Sequence, residues 1–300
     1  MENKVPREAR AHGDASFPLC VYHVVLTPGP TQQIVNYHWH EETEFVLVTR
    51  GAVNIQVGTD SYIVHRGQGI LINREEVHAF TEADSEESEC YAVVFDLALL
   101  LSSSSYDRLQ HQYLRPIIQE DWFFPTYIKG ETTVDIAILS HLQEIVRVFP
   151  DCAAFEMTIK GHLLLIMAVL LESNQMVFYK IVDTVKSSNM ARMKLALDYI
   201  GKHYQEKIRL KDLAEQLAVS EGHMSRLFKQ MTQKTIIEFI NDLRVNEAAK
   251  LLQSTDKSVV EISNEVGFED PSYFNRVFRM IKKCSPSQFR RLFEPKKMSS

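Results

Sequence analysis

The sequence predicts a multidomain chain: an N-terminal all-β barrel with following helices, then an all-α C-terminal part made of two helix-turn-helix units. Three observations carry this prediction. Between Leu19 and Phe95, short runs of β-branched and aromatic residues are cut by turn residues at close intervals. Between Ile138 and Leu171 the apolar spacing becomes helical. Beyond Leu210 one two-helix pattern occurs twice, as Met224-Ser225-Arg226-Leu227-Phe228-Lys229 and, 50 positions on, as Phe274-Asn275-Arg276-Val277-Phe278-Arg279.

A chain of 300 residues suits two domains, each large enough for its own core. Its net charge of −6 hides a division. Residues 189–300 hold 20 Lys and Arg against 14 Asp and Glu, whereas the remainder holds 13 basic and 25 acidic residues. A basic end on an acidic body fits a nucleic-acid-contacting end whose other domain stays off the nucleic acid. The four cysteines, Cys20, Cys90, Cys152 and Cys284, are scattered, so neither a zinc site nor a disulfide framework is read, and a reducing cytoplasm fits. The charged N-terminus lacks the apolar core of a signal peptide. The most apolar run, Leu163 to Leu171, is far short of the ~20 residues that span a bilayer, so no membrane partner is expected.

Residues 1–100 are read as the barrel with an N-terminal arm. Met1 to Ser16 is polar and turn-rich, as a mobile arm would be. Strand-like runs follow at Cys20–Leu26, Phe45–Val48, Val53–Val57, Ser61–Val64, Ile70–Ile72 and Tyr91–Phe95, with turns at Pro28-Gly29-Pro30, Arg50-Gly51, Gly58-Thr59-Asp60 and Gly67-Gln68-Gly69. In an extended chain His38, His40, Glu42 and Glu44 would alternate onto one face. If that face lines the barrel, imidazoles and a carboxylate converge in one cavity.

Two functional readings fit such a cavity. One is a divalent metal on His38, His40, Glu44 and His78, because imidazole and carboxylate suit Zn, Ni, Mn or Fe. The other is a polar pocket for a small organic effector, with His38, His40, Glu42, Glu44, His78 and Tyr22 around it. Tyr22, Tyr37, Trp39 and Phe80 would supply stacking walls for a carbohydrate, although Trp39, between two histidines, should face the other way. A third reading leaves the polar groups merely tolerated at the barrel mouth, with no cofactor required. His38-Trp39-His40, Glu44 and Gly51, then Gly67 to Gly69 and His78, resemble the two motifs of cupins, which implies a cupin-like barrel. That likeness admits an alternative, a metal-dependent enzyme fused to a DNA-binding domain.

Residues 101–175 are read as a helical dimerisation segment. Ser102 to Ser105 marks its start, and Asp121 to Tyr127 reads as packed loop. Ile138, Leu142, Ile145, Val146 and Phe149 recur at helical spacing up to Pro150-Asp151. From Phe155 to Leu171 apolar residues cover most of the circumference, so this helix needs more than one partner: either it packs against the barrel of its own chain, or the helix pair also meets a second chain. Residues 176–189 are read as the interdomain linker.

Residues 190–293 form the repeated part. Met190 to Tyr204 is a lead helix, and Ile236 to Leu252 connects the two units. Ser220 suits an N-cap for the second helix of the first unit. Ser258-Val259-Val260-Glu261 is a capping box, Gly267 supplies the turn, and Asp270-Pro271 starts the second helix of the second unit. The run Gly267-Phe268-Glu269-Asp270-Pro271-Ser272-Tyr273-Phe274-Asn275-Arg276-Val277-Phe278-Arg279, followed by Ser285-Pro286-Ser287-Gln288-Phe289-Arg290, resembles the signature of the AraC family of transcription regulators. Arg244 to Leu252 resembles the family's linker helix.

The resemblance implies a DNA-binding regulator that is no enzyme, with double-stranded DNA, a small-molecule effector, a second copy of the chain and RNA polymerase as partners. The second helix of each unit would enter a major groove. Outward positions there are Glu221, Gly222, His223, Ser225, Arg226 and Lys229, and Pro271, Ser272, Asn275, Arg276 and Arg279. Arg226 or Arg276 could pair with guanine and Asn275 with adenine; phosphate contact is the commoner fate of such cations. The family usually has Gly where this chain has Gln233 and Lys283; if the backbone is left-handed there, each non-Gly residue costs about 1 kcal/mol. The first unit has no capping residue ahead of Lys211 and should be the less stable and more adjustable half.

Overall fold

The computed structural model describes residues 11–27, 35–83, 86–102, 104, 106–178 and 184–293, with the side chains of 178 and 184–187 excepted. The expected turn at Pro28-Gly29-Pro30, the beginning of the arm, and Ser103 and Ser105 lie outside these residues. Two compact units are present, divided between Met190 and Ala191.

The N-terminal unit carries eight strands before its helices: β1 (Leu19–Leu26), β2 (Val35–His38), β3 (Thr43–Arg50), β4 (Ala52–Val57), β5 (Asp60–His65), β6 (Gly69–Ile72), β7 (His78–Glu82) and β8 (Ser88–Phe95). A short helix α1 (Arg115–Ile118) follows, then β9 (Trp122–Phe123), β10 (Tyr127–Ile128), α2 (Thr133–Val148), α3 (Phe155–Glu172) and β11 (Val177–Phe178). One sheet has the order β1-β8-β3-β6-β10 and a second β2-β7-β4-β5. β9 pairs with β11 in a small third sheet.

Period-two alternation explains the layering. On β3, Val46 and Val48 join a core with residues of β4, β5 and β7 of the second sheet, while Phe45 and Leu47 join a second core containing Ile138, Leu142 and Ile145 of α2 and Ile159, Leu163 and Ile166 of α3. β8 alternates likewise, with Ala92 and Val94 in the first core and Val93 and Phe95 in the second. The first sheet is thus buried on both faces, and the β-half is a double-sheet sandwich backed by a helical hairpin.

Some expectations need correction. Asp121 to Tyr127 is not all loop: Trp122–Phe123 and Tyr127 are strand, because their exposed backbone groups find Val177–Phe178 and Gly69–Ile70 to pair with. The stretch 176–189 is not all linker. Val177–Phe178 is strand, and α4 (Thr184–His203) starts well before Met190. Thr184 to Asn189 contains no Gly or Pro to stop a helix from running through it.

The C-terminal unit continues with α5 (Leu210–Gln216), α6 (Glu221–Thr232), α7 (Ile236–Ser254), α8 (Val259–Glu265), α9 (Pro271–Lys282) and α10 (Pro286–Arg291). Its core around the second helix pair gathers Tyr204, Val245, Ala248, Leu252, Ile262, Phe268, Phe274, Phe278 and Phe289. Among the described residues no helix is long and apolar enough to cross a membrane, and all four cysteines are free.

Candidate functional site

Two places carry chemistry, one in each unit. In the β-half, His38 ends β2 and pairs across the ladder with His78, the first residue of β7. Glu44 lies on β3, on the same face as Val46 and Val48, so it points between the two sheets. His40 sits in the connection between β2 and β3. The chain bends at Glu41 and Glu42, so 38–44 is not the single extended strand expected from the sequence. The bend removes Glu42 from the cluster. Its carbonyl instead accepts from His40 Nδ1 at 3.2 Å, and its carboxylate lies 3.6 Å from the same nitrogen.

His38, His40, Glu44 and His78 each bring one potential ligand atom into a space where all four lie within 4.8 Å of one another. Glu44 Oε2 lies 3.1 Å from His40 Nε2 and 3.1 Å from His78 Nε2. The ring of His38 is 4.1 Å from that of His78. His40, Glu44 and His78 are fully enclosed; part of His38 meets solvent, but its ring faces the cluster. Burial first, then the adjacent His78, push His38 down to about 3, so its imidazole is neutral.

Sequence reasoning misses His12, which falls in the expected arm. It is buried, donor or acceptor to Tyr22 Oη at 3.0 Å, with its ring 5.3 Å from that of His40. The turn that seats it is built from Gly13, at φ +82°, and Asp14, whose carboxylate accepts from the backbone of Ser16 and Phe17. Tyr22 therefore reaches the cluster through His12. Phe80 lies in the inter-sheet core with its ring 6.0 Å from that of His78.

The second place is the outer face of α6 and α9. Met224, Leu227 and Phe228 are buried, as are Phe274, Val277 and Phe278 at the matching positions 50 residues on. Glu221, Gly222, Ser225, Arg226 and Lys229 on α6, and Ser272, Asn275, Arg276 and Arg279 on α9, are exposed; His223 and Pro271 are half-buried. Ser220 Oγ accepts from His223 N at 3.2 Å, and Asp270 accepts from Ser272 N at 2.8 Å, so each outward helix starts on a side-chain cap. Asn275 Nδ2 donates to Pro271 O at 2.8 Å, and the Arg276 guanidinium lies 5.2 Å over the Tyr273 ring.

Residues behind this surface, given no supporting role in the sequence reading, hold it in place. Asn241 on α7 donates to Tyr273 Oη at 2.9 Å. Arg244 donates to the carbonyls of Tyr204 and Glu206 at 2.6 and 2.8 Å while lying 5.4 Å over the Phe268 ring. Two capping boxes, Thr235 with Glu238 and Ser285 with Gln288, start α7 and α10 directly after the two outward helices. The T-x-x-E and S-x-x-Q spacings are the available signal for them.

A family model described as an AraC-like ligand binding domain matches residues 21–165, and one described as a helix-turn-helix domain matches residues 213–292. The uncharacterized HTH-type transcriptional regulator YdeC of Bacillus subtilis (strain 168) is 27% identical over 292 residues, covering 95% of this chain and 96% of its own. The HTH-type transcriptional activator RhaR of Klebsiella pneumoniae is 26% identical over 281 residues, covering 91% of this chain and 94% of its own. Among solved structures, a P21 crystal form of ToxT from Vibrio cholerae covers 92% of this chain and 99% of its own at 15% identity and a TM-score of 0.44. YdeC and RhaR are named as a transcriptional regulator and a transcriptional activator rather than as enzymes, and the reading of the cluster as the centre of a fused metal-dependent enzyme is set aside. With a ligand-binding half ahead of a DNA-binding half, this chain belongs to the AraC family of transcription regulators.

Proposed function

We propose that the regulator acts in the cytoplasm as a homodimer, reads DNA with the outer faces of α6 and α9, and answers to a small effector held beside His38, His40, Glu44, His78 and Tyr22. The observation that carries this is the match between α6 and α9. Two helices 50 residues apart repeat the same succession of buried and exposed positions from Gly222 to Gln230 and from Ser272 to Met280, with Arg226 and Arg276 both exposed. Helices built alike on one connecting helix suit successive major grooves, about 34 Å apart on one face of a duplex. Effector binding shifts the population of DNA-competent dimers, and RNA polymerase at the promoter reads the result. A carbohydrate is the effector class expected from the sequence.

The dimer rests on α3. Its inner side is buried, but Met157 is 77% and Leu165 48% exposed, and Gly161 lies between them with open space where a Cβ would be. This uncovered stripe on an otherwise apolar helix suits a second copy of the same hairpin.

The test is anisotropy or mobility-shift titration of purified protein on the DNA upstream of its own gene, with and without a panel of mono- and disaccharides. Salt-sensitive, sequence-preferring binding is expected, and a sugar that changes it identifies the effector. Binding that ignores DNA sequence would refute the proposal.

A further inference from the structure

We propose that His38, His40, Glu44 and His78 hold one divalent first-row transition-metal ion through three imidazole Nε2 atoms and a Glu44 carboxylate oxygen. This rests on the reading of the β-half as the effector domain, and it makes the metal the resident inner part of that site.

The argument is one of donors and acceptors. Each of the three rings turns its Nδ1 to a backbone carbonyl: His38 to Asn36 O at 2.8 Å, His40 to Glu42 O at 3.2 Å and His78 to Glu76 O at 2.8 Å. A carbonyl only accepts, so each Nδ1 carries the proton. In a neutral imidazole the other nitrogen is then an acceptor, with its lone pair directed away from the carbonyl. Two of those Nε2 atoms face Glu44 Oε2 at 3.1 Å, and a carboxylate also only accepts. The four converging groups thus all offer lone pairs, the arrangement that a cation between them satisfies. One metal ion meets all four lone pairs together.

The donor set and its scaffold fit. Metal–ligand bonds of ~2.0–2.2 Å put neighbouring donors ~3 Å apart and opposite ones ~4.2 Å apart. The Glu44 separations already equal the first, and the 4.8 Å limit on the set needs closure by a few tenths of an ångström. Backbone carbonyls on the outward ring nitrogens are the supports that fix tautomer and ring direction in metal-binding histidines. The ligands come from β2, the bend after it, β3 and β7, so both sheets contribute and the site is braced on two sides. Three nitrogens and one oxygen suit Fe, Co, Ni or Zn over Mg or Ca. Four protein ligands leave two positions of an octahedron for oxygen donors of an effector.

The test uses the full chain, stripped with a chelator and titrated with Co2+ alone. One equivalent per chain is expected, with ligand-field absorption that Zn2+ abolishes. His40→Ala and His78→Ala should each weaken Co2+ binding by at least ~100-fold. His38→Gln, at the cluster's solvent-reached edge, gives a second variant if either of those fails to fold by circular dichroism. His162→Ala is the control, because His141 and His162 pair at 3.0 Å on the helical hairpin and form a separate histidine cluster. Absence of binding, or binding that survives His40→Ala and disappears with His162→Ala, overturns the proposal. DNA binding is measured on the same samples. A chain that binds its DNA but no metal refutes the metal site and leaves the proposed regulator standing; a chain that binds metal but no DNA does the reverse.

Discussion

Gly267 lies so close to the backbone of Gln205 that a Cβ on it would sit 2.5 Å from the Gln205 carbonyl oxygen. The contact joins the turn of the second helix-turn-helix to the segment that follows α4. It stands beside Arg244, which holds the carbonyls of Tyr204 and Glu206 and covers Phe268. Gly267 also has φ +93°, where an L side chain is strained. Gly267→Ala should therefore cost about 2–4 kcal/mol, from strain and overpacking together. Denaturant unfolding of the full chain checks this, and a loss below ~1 kcal/mol would show that the backbone yields there.

The first unit places Ala218 where the second has Gly267. Ala218 N bonds Glu215 O as Gly267 N bonds Asn264 O, and Ala218 takes φ +52°. The left-handed conformation costs an Ala about 1 kcal/mol, while a Gly adds about 0.4–1 kcal/mol of unfolded-state entropy. Ala218→Gly should thus leave stability unchanged or raise it by under ~1 kcal/mol. The two turn substitutions should differ in sign or by several-fold in size in the same unfolding assay.

On DNA, Arg276→Ala should cost about 1–3 kcal/mol and relax preference at one base pair, if its guanidinium leaves Tyr273 for a guanine edge. Lys229→Ala should weaken binding evenly across sequences and lower the salt slope by about one. Competition titrations over operator variants at several salt concentrations separate the two. Equal, sequence-independent losses would make both residues phosphate contacts.

Much of this is legible in the sequence, for physical reasons that differ by element. Gln233 and Lys283 do adopt left-handed backbone, at φ +57° and +58°, because the chain must turn after each outward helix whatever residue stands there. Ser258 and Glu261 do close a capping box, and Asp270-Pro271 does start α9, since caps act over three or four residues and leave a local pattern. β2 and β7 leave no such mark: Val-Asn-Tyr-His and His-Ala-Phe-Thr-Glu carry no run of β-branched residues, and their pairing is a long-range fact. The place of His12 is hidden likewise, because a polar segment rich in turns reads as solvated until the wall it packs on is known. Alternation misplaces Glu42 because it assumes a straight chain, and the bend at 41–42 has no Gly or Pro to announce it.

The dimer proposal turns on α3. Leu165→Asp adds a charge to a face that is 48% exposed in the single chain, so the monomer fold should lose no more than about 0.5 kcal/mol. A second copy burying that face would meet an unpaired carboxylate. Sedimentation equilibrium should show the unsubstituted chain as a dimer and Leu165→Asp as a folded monomer. A variant that remains dimeric would move the interface elsewhere.

The two helix-turn-helix units should also differ in how readily they open. Arg209, at the N-cap of α5, makes no side-chain cap, whereas α8 begins on the reciprocal bonds of Ser258 and Glu261. A missing cap is worth about 1 kcal/mol and the strain at Ala218 about another. The difference is confined to α5, because α6 has Ser220 and α7 has its own capping box. Amides of α5 should therefore exchange with solvent roughly 30-fold faster than those of α8, the equivalent of about 2 kcal/mol. Such a unit is the one whose placement on DNA a ligand in the other domain can change at least cost. Native-state hydrogen exchange on the free protein measures this directly. Protection of α5 equal to or above that of α8 would make the first unit the rigid half and transfer the adjustable role to the second.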